Sequence, residues 1–257
     1  MNDIRMQSQF ATINVCGEEI KFISIKHGDF FMPGKGRIVS LTKDYWLQET
    51  AVTQQQYRSV CGESPSHFKG SDLPVENVSW HDARSFCIRL NALLEKELPN
   101  GYRFDLPTGA QWEYACLAGT NGDYSFGKHI SFNDANYDGR SYFLPKLLLQ
   151  GIFGSKNTFR RTTLPVRSFP CNKFGLFEMH GNVCEWCRDP ERFFEDKDVE
   201  FLAKGDAATN NASMALTKGG GWRSNWLQCA CSCNNYHAIT GKSDELGFRV
   251  AIVATKR

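Results

Sequence analysis

The stretch from residue 120 to 220 constrains the fold more than any other part of this sequence, because it is aromatic-rich but shows little hydrophobic periodicity. An aperiodic tract of this length would usually indicate disorder or long loops. Here Phe and Tyr recur every few positions, and such rings can fix irregular backbone onto a core. The pattern therefore predicts a folded chain with much irregular structure, without naming the fold.

Three helices are predicted before this tract. Thr53 and Gln56, and again Thr108 and Gln111, have the spacing of a capping box at a helix start. Ser79 precedes a longer run whose apolar positions follow the helical period. Short strands are predicted over residues 27–50, where polar and apolar residues alternate, and the closing run ELGFRVAIVA is typical of a buried strand.

Composition excludes some classes of protein. The 257 residues are 41% hydrophobic, which is enough for a packed core, and the net charge of +2 gives no reason to expect nucleic acid as a partner. No apolar run is long enough for a membrane span, and the N-terminus shows no signal peptide. We therefore expect a single domain over residues 1–257. Its location stays open: the cell surface or outside if a leader was removed, otherwise the cytoplasm.

Several motifs occur in a fixed order along the chain: YRFDLPTGAQWEYACLAG, NKFGLFEMHGNVCEWCRD, and GGGWRSN followed by LGFRVAI. Together they resemble the formylglycine-generating enzyme family, also called the sulfatase-modifying factors. The resemblance extends from about residue 20 to 252. It implies an α+β protein with a C-type lectin fold, in which the N- and C-terminal strands come together.

In catalytic members of the family, two cysteines at the second and seventh positions after a glycine-aromatic turn bind copper and oxidise a sulfatase cysteine. The aromatic residue here is Trp222, so Cys229 matches the second cysteine, but Ser224 stands in place of the first. Copper(I) selects soft thiolates, and a serine hydroxyl is a poor ligand for it. A copper-dependent oxidase is therefore the alternative interpretation, with Cys229 as its one matching catalytic residue.

The resemblance also includes a branch of variable proteins diversified by retroelements, of the Treponema variable protein type. These proteins display a ligand-binding surface between the Gly-Gly-x-Trp turn and the Gly-Phe-Arg closure, here residues 222–247. We therefore predict a non-catalytic binder of an unknown protein or surface ligand, with Trp222 and Phe248 in the fixed frame and the three clustered cysteines at the surface. The predicted contacts are Arg223, Ser224, Asn225, Trp226, Gln228, Cys229, Cys231, Cys233, Asn235, Tyr236 and His237.

Two metal sites are also considered. The resemblance implies a structural calcium ion at Glu178, Gly181, Val183 and Glu185; alternatively, Glu185 only holds its turn. A second calcium site is incomplete, with Asn136 and Tyr137 present but Thr158 where a carboxylate is expected.

Cys184 and Cys187 have the spacing of a zinc or redox pair, but Cys184 occupies a position where the family has tryptophan. Both are interpreted as small core residues instead.

Overall fold

The computed structural model of the chain describes residues 2–94, 96–141, 159–190 and 213–255. The helices are α1 (Gln54–Cys61), α2 (Trp80–Leu94) and α3 (Gly109–Leu117). The strands are β1 (Asp3–Met6), β2 (Phe10–Val15), β3 (Glu18–Ile25), β4 (Gly28–Met32), β5 (Arg37–Leu41), β6 (Tyr45–Gln48), β7 (Tyr102–Asp105), β8 (Cys184–Pro190), β9 (Met214–Lys218), β10 (Asn235–Ala238), β11 (Leu246–Gly247) and β12 (Ala251–Ala254). None of the helices within these ranges is both long and apolar enough to span a lipid bilayer.

The three predicted helices are confirmed, together with the local signals that start them. At α1 the Thr53 hydroxyl accepts a hydrogen bond from the Gln56 backbone, and the Gln56 side chain accepts one from the Thr53 backbone. Thr108 and Gln111 form the same reciprocal pair at α3. Because such a pair satisfies two backbone donors that the first helical turn leaves free, each helix begins at a fixed residue.

The strands form three sheets. A six-stranded sheet has the order β1-β2-β3-β6-β12-β7, a four-stranded sheet has the order β10-β9-β8-β11, and β4 pairs with β5. The short strands predicted over residues 27–50 are confirmed as β4, β5 and β6. The first and last strands of the described chain belong to one sheet, as the resemblance implies.

The closing run forms two strands in different sheets, where one buried strand was predicted. Leu246 pairs in parallel with Cys184 of β8, whereas Ala251 pairs with β6 and β7 of the other sheet. Phe248 and Arg249 lie between these strands and are fully buried. The run is therefore the connection that carries the chain from one sheet to the other.

The described residues of the irregular tract are fixed onto the protein by aromatic residues, as predicted, whereas its residues 142–158 and 191–212 lie outside the described ranges. Between α3 and β8 the described residues form turns and a short 3-10 helix, Gly139–Ser141. Tyr124, Ile130 and Tyr137 are buried in one apolar cluster, against which Trp226 packs. This cluster joins the irregular tract to the C-terminal part of the chain.

Candidate functional site

A glycine turn after β9 begins the candidate site. Gly219 and Gly220 have φ angles of 85° and 69°, in the left-handed region that favours glycine. A Cβ atom on Gly220 would lie 2.9 Å from the Cys229 Sγ atom and 3.0 Å from the Gln228 carbonyl oxygen. The turn therefore needs glycine both for its backbone conformation and for the close packing of residues 228 and 229 on it.

We call residues 223–246 the C-terminal segment; buried aromatic residues hold both of its ends. Trp222 is 4% exposed, and its Nε1 donates to the Asp244 carbonyl oxygen at 3.0 Å. Phe248 is fully buried and packs edge-on against the rings of Tyr57 and Phe86. Trp222 and Phe248 thus belong to the frame, as predicted, and the hydrogen bond to residue 244 closes the segment into a loop.

A cavity of about 250 Å³ lies on this segment. Six of the predicted contacts line it: Arg223, Ser224, Gln228, Asn235, Tyr236 and His237. Three lining residues were missed by sequence reasoning, namely Cys184, Ser243 and Glu245. Cys184 could have been included because it follows the Gly181 turn within the motif NKFGLFEMHGNVCEWCRD, but Ser243 and Glu245 have no sequence signal beyond their position in the segment.

Charge in this cavity comes from one carboxyl group and one guanidinium. Burial raises the pKa of the Glu245 carboxyl, which accepts a hydrogen bond from the Arg223 backbone at 3.3 Å. The Arg223 side chain turns to Asp244, with Nη2 to Oδ2 at 2.7 Å. Burial lowers the pKa of His237, so its ring is neutral at physiological pH. The cavity therefore offers hydrogen-bonding groups and rings to a polar, uncharged or weakly basic ligand.

The other five predicted contacts lie outside the cavity lining. Asn225 forms a reciprocal pair with Gln228, in which each backbone N–H donates to the other side chain at 3.0 and 3.1 Å. Trp226 is half-buried against the cluster around Tyr124. Both therefore shape the loop on which the cavity residues stand.

The three clustered cysteines do not share one face, because the segment does not form a strand there. Cys229 ends a 3-10 helix (Leu227–Cys229) and is fully buried, and Cys231 is 1% exposed in a different core cluster. Cys233 is half-buried. The expectation that these cysteines are surface residues is therefore wrong for Cys229 and Cys231.

Ser224 is held by the backbone around it. Its Oγ accepts a hydrogen bond from the Gly221 N–H at 2.9 Å, and its carbonyl oxygen accepts one from Asp138 at 2.9 Å. Burial raises the pKa of Cys184, beside Ser224, to about 12 and raises the pKa of Cys229 well above its ordinary value. One hydroxyl and one thiol do not supply the pair of thiolates that a copper(I) ion selects.

The residues predicted to hold calcium have other partners. Both carboxylate oxygens of Glu185 bind the Arg249 guanidinium, with Nε to Oε2 at 2.6 Å and Nη2 to Oε1 at 2.7 Å, and Trp112 Nε1 also donates to Oε2 at 2.7 Å. Glu178 accepts backbone hydrogen bonds from Arg167 and Phe169. The Gly181 carbonyl accepts one from Val183 at 3.0 Å.

A calcium ion does not fit this arrangement, because the positive charge that Glu185 needs already comes from Arg249. Of the second site, Asn136 donates to the Thr162 carbonyl oxygen at 2.9 Å and Tyr137 is buried. Thr158 lies outside the described residues.

Cys184 and Cys187 lie on opposite faces of β8. Cys184 lines the cavity, whereas Cys187 belongs to the core cluster that includes Trp112. The hypothesis of a joint zinc or redox site is therefore excluded, and both residues are buried as the core interpretation predicts.

The model of the sulfatase-modifying factor enzyme 1-like domain matches residues 10–254. The chain is 28% identical over 242 residues to the chaperone protein LppX of Paenibacillus barcinonensis, covering 80% of this chain and 79% of that protein. It is 28% identical over 214 residues to the formylglycine-generating enzyme of Mus musculus, covering 80% of this chain and 50% of the enzyme. It thus spans about half the length of that enzyme.

One more relative and one solved structure are similar to this chain. The inactive C-alpha-formylglycine-generating enzyme 2 of Mus musculus is 32% identical over 218 residues, covering 80% of this chain and 57% of that protein. The solved structure of Treponema denticola variable protein 1 superposes with a TM-score of 0.71 at 24% identity, covering 95% of this chain and 99% of that one. These likenesses confirm the α+β, C-type lectin fold that the motifs imply.

Proposed function

This chain belongs to the sulfatase-modifying factor family, and we propose that it is a non-catalytic binding protein that holds its ligand at the C-terminal segment. One observation carries the proposal: six side chains selected from the sequence converge on a single cavity of about 250 Å³. Residues scattered over 15 positions, from 223 to 237, would not meet in this way unless the fold presented them together.

The alternative, a copper-dependent oxidase, lacks its ligands in this chain. Ser224 supplies a hydroxyl that is already an acceptor for the Gly221 N–H, and Cys229 is fully buried. Copper(I) selects soft thiolates, so one serine and one cysteine do not form the two-thiolate site of the catalytic members. The family contains proteins named as generating enzymes and proteins named as inactive, so membership alone does not decide between the two functions.

The segment is built in the way that a display surface requires. Its ends are fixed by buried aromatic residues, while Asn225, Gln228, Tyr236 and His237 between them are only half-buried. Substitution at half-buried positions usually costs little stability compared with substitution in a core. The likeness to the Treponema variable protein supports this function, in which the frame is constant and the surface differs between relatives.

The cavity also suggests what kind of ligand it takes. Its volume is below the roughly 300–1,000 Å³ of pockets for drug-sized molecules, so it fits one side chain or one sugar unit of a larger partner. Tyr236 and His237 offer rings, and Glu245 offers an acceptor for a hydroxyl or amine. We therefore propose a protein or surface glycan as the ligand, anchored by one projecting group.

The binding function is tested with peptide-display and glycan arrays probed with the purified chain. Ligands found with the wild type should bind at least about tenfold more weakly to Tyr236→Ser and Gln228→Ser, since loss of one good contact costs about 1.4 kcal/mol or more. Phe126→Ser serves as the control, because Phe126 is an exposed aromatic residue outside this cavity. Equal binding by all variants would place the ligand elsewhere.

A separate assay tests the oxidase. The chain loaded with copper(I) should not convert a Cys-x-Pro-x-Arg peptide to its formylglycine form, as followed by mass spectrometry. Multiple turnovers in that assay would contradict the non-catalytic proposal, whatever the arrays show.

A further inference from the structure

A group of metal-binding side chains lies beneath the C-terminal segment, outside the cavity. The Sγ atoms of Cys116 and Cys231 and a ring nitrogen of His180 all lie within 4.8 Å of one another, and all three residues are buried. Cys116 belongs to α3, His180 precedes the Gly181 turn, and Cys231 belongs to the C-terminal segment. Three separate parts of the chain therefore bring two thiols and an imidazole to one point.

The histidine is oriented as metal-bound histidines usually are. His180 Nδ1 lies 2.8 Å from the Cys229 carbonyl oxygen, to which it can only donate. The proton is thus on Nδ1, and Nε2 carries the lone pair, which accepts a hydrogen bond from the Ser125 backbone N–H at 3.1 Å. A metal ion at Nε2 would take the place of this hydrogen bond. Nε2 lies 3.7 Å from the Cys116 Sγ atom and 3.0 Å from the Ser125 hydroxyl. A hydrogen bond that fixes the ring and its tautomer is the typical outer contact of a metal-binding histidine.

We propose that Cys116, His180 and Cys231 bind a zinc ion, with the Ser125 hydroxyl, 3.0 Å from His180 Nε2, beside the fourth position. Two thiolates, one imidazole and Zn²⁺ form a site of zero net charge, which is favourable in a fully buried place. Copper(I) with the same ligands would leave one uncompensated negative charge. On binding, the two thiol protons pass to solvent.

The distances require only a small movement. Zinc–sulfur bonds of about 2.3 Å at tetrahedral angles separate two sulfur atoms by about 3.8 Å. The Cys116 and Cys231 sulfur atoms are 3.0 Å apart, so they must separate by about 0.8 Å, which rotation of the side chains can supply. A Cys116–Cys231 disulfide is the competing outcome, in which His180 keeps only its hydrogen bonds to Ser125 and to the Cys229 carbonyl oxygen.

The site would tie the C-terminal segment to α3. Cys231 is held there by its backbone N–H, which donates to the Asp123 carbonyl oxygen at 2.8 Å, and by its burial against Cys116. A zinc ion would strengthen that attachment without touching the cavity-lining side chains. The inference is thus independent of the proposed ligand and of the oxidase alternative.

The test uses the full chain, purified under reducing conditions and titrated with Co²⁺ as a spectroscopic probe, followed by Zn²⁺. One Co²⁺ per chain should bind with a thiolate-to-cobalt charge-transfer absorption that Zn²⁺ abolishes. Cys116→Ser and Cys231→Ser should lose the absorption. Cys187→Ser is the matched control, because Cys187 is a buried cysteine of the same core cluster and should keep it.

A measurement on the wild type alone covers the case in which a variant does not fold. X-ray absorption at the zinc edge should show two sulfur ligands near 2.3 Å and at least one nitrogen near 2.0 Å. Absence of the cobalt absorption in the wild type, its retention in both serine variants, or recovery of a Cys116–Cys231 disulfide from the reduced preparation would overturn the proposal.

Discussion

Arg249 and Gln228 lie 21 positions apart in the sequence, yet the structure uses their polar groups in opposite ways. Arg249 is fully buried, binds both oxygens of Glu185 and also donates to the Phe177 carbonyl oxygen at 2.9 Å. Gln228 is half-buried, and among the described residues its side chain is hydrogen-bonded to Asn225, three residues away. The first side chain connects distant parts of the frame, whereas the second shapes only its own loop.

A second buried ion pair joins the two regions. Lys218 Nζ lies 2.8 Å from Glu113 Oε2, and both side chains are fully buried. The same ammonium donates to the Asn234 side chain in the C-terminal segment at 3.0 Å. The frame therefore contacts the segment at Asn234 and at the buried Cys229 and Cys231, and the half-buried residues between these points are the ones that the proposed binding function would use.

The largest effect expected from this comparison is the loss of the Arg249 guanidinium. Arg249→Met leaves the Glu185 carboxylate buried without its partner, and breaking a buried pair from one side costs about 3–5 kcal/mol. Chemical denaturation should show a loss of that size in the free energy of unfolding. Arg249→Met combined with Glu185→Gln should be more stable than the single variant, because no unpaired charge remains. Equal stability of the two would contradict the account of this pair.

The next largest effect is a difference in stability between two variants, one changed at a frame residue and the other at three residues of the segment. Trp222→Ala removes a buried ring that stacks on Phe159 and should cost about 3 kcal/mol. Serine at Trp226, Gln228 and Tyr236 together should cost about 2 kcal/mol, since burying an apolar side chain completely contributes about 1.5–3 kcal/mol and these rings are half-buried.

Denaturation of these two variants beside the wild type makes the comparison. If the triple variant loses more stability than Trp222→Ala, the segment is core and the display proposal fails. A loss near zero in the triple variant would show that the contacts of Trp226 and Tyr236 with the apolar clusters contribute nothing to stability.

The frame could be predicted from the sequence because local chemistry specifies it. The capping boxes at Thr53 and Thr108 depend on residues three positions apart, and the motif order identified the family and with it the fold. Six of the cavity residues were found for the same reason, since the glycine turn and the closure define the ends of the segment. Local patterns were sufficient wherever the interacting residues are near in sequence or belong to a recognised motif.

The remaining features depend on contacts between distant residues, and no local pattern contains them. Glu113, in α3, pairs with Lys218, 105 positions away. Cys231 was placed at the surface, whereas it faces Cys116, 115 positions away. The calcium prediction met the same difficulty, because the partner of Glu185 is Arg249, 64 positions away in the sequence. Only the folded chain shows which charge compensates which.

The smallest effect concerns Glu245, the one cavity carboxyl whose burial raises its pKa above the usual value of 4.5. The folded state then keeps a proton that the unfolded chain has released, so stability falls as pH rises from about 4.5 to the raised pKa. Glu245→Gln removes this loss and should make the protein more stable at neutral pH, by less than the triple serine variant loses. Below pH 4 the two proteins should be equally stable, because both side chains are then neutral. Thermal unfolding over this pH range measures the difference, and Glu97→Gln, at an exposed glutamate, controls for the change in net charge. If Glu245→Gln were equally more stable at acid and at neutral pH, the gain would come from better packing of the glutamine. If the variant were less stable at neutral pH, the carboxylate would stabilise the segment, which would contradict the prediction.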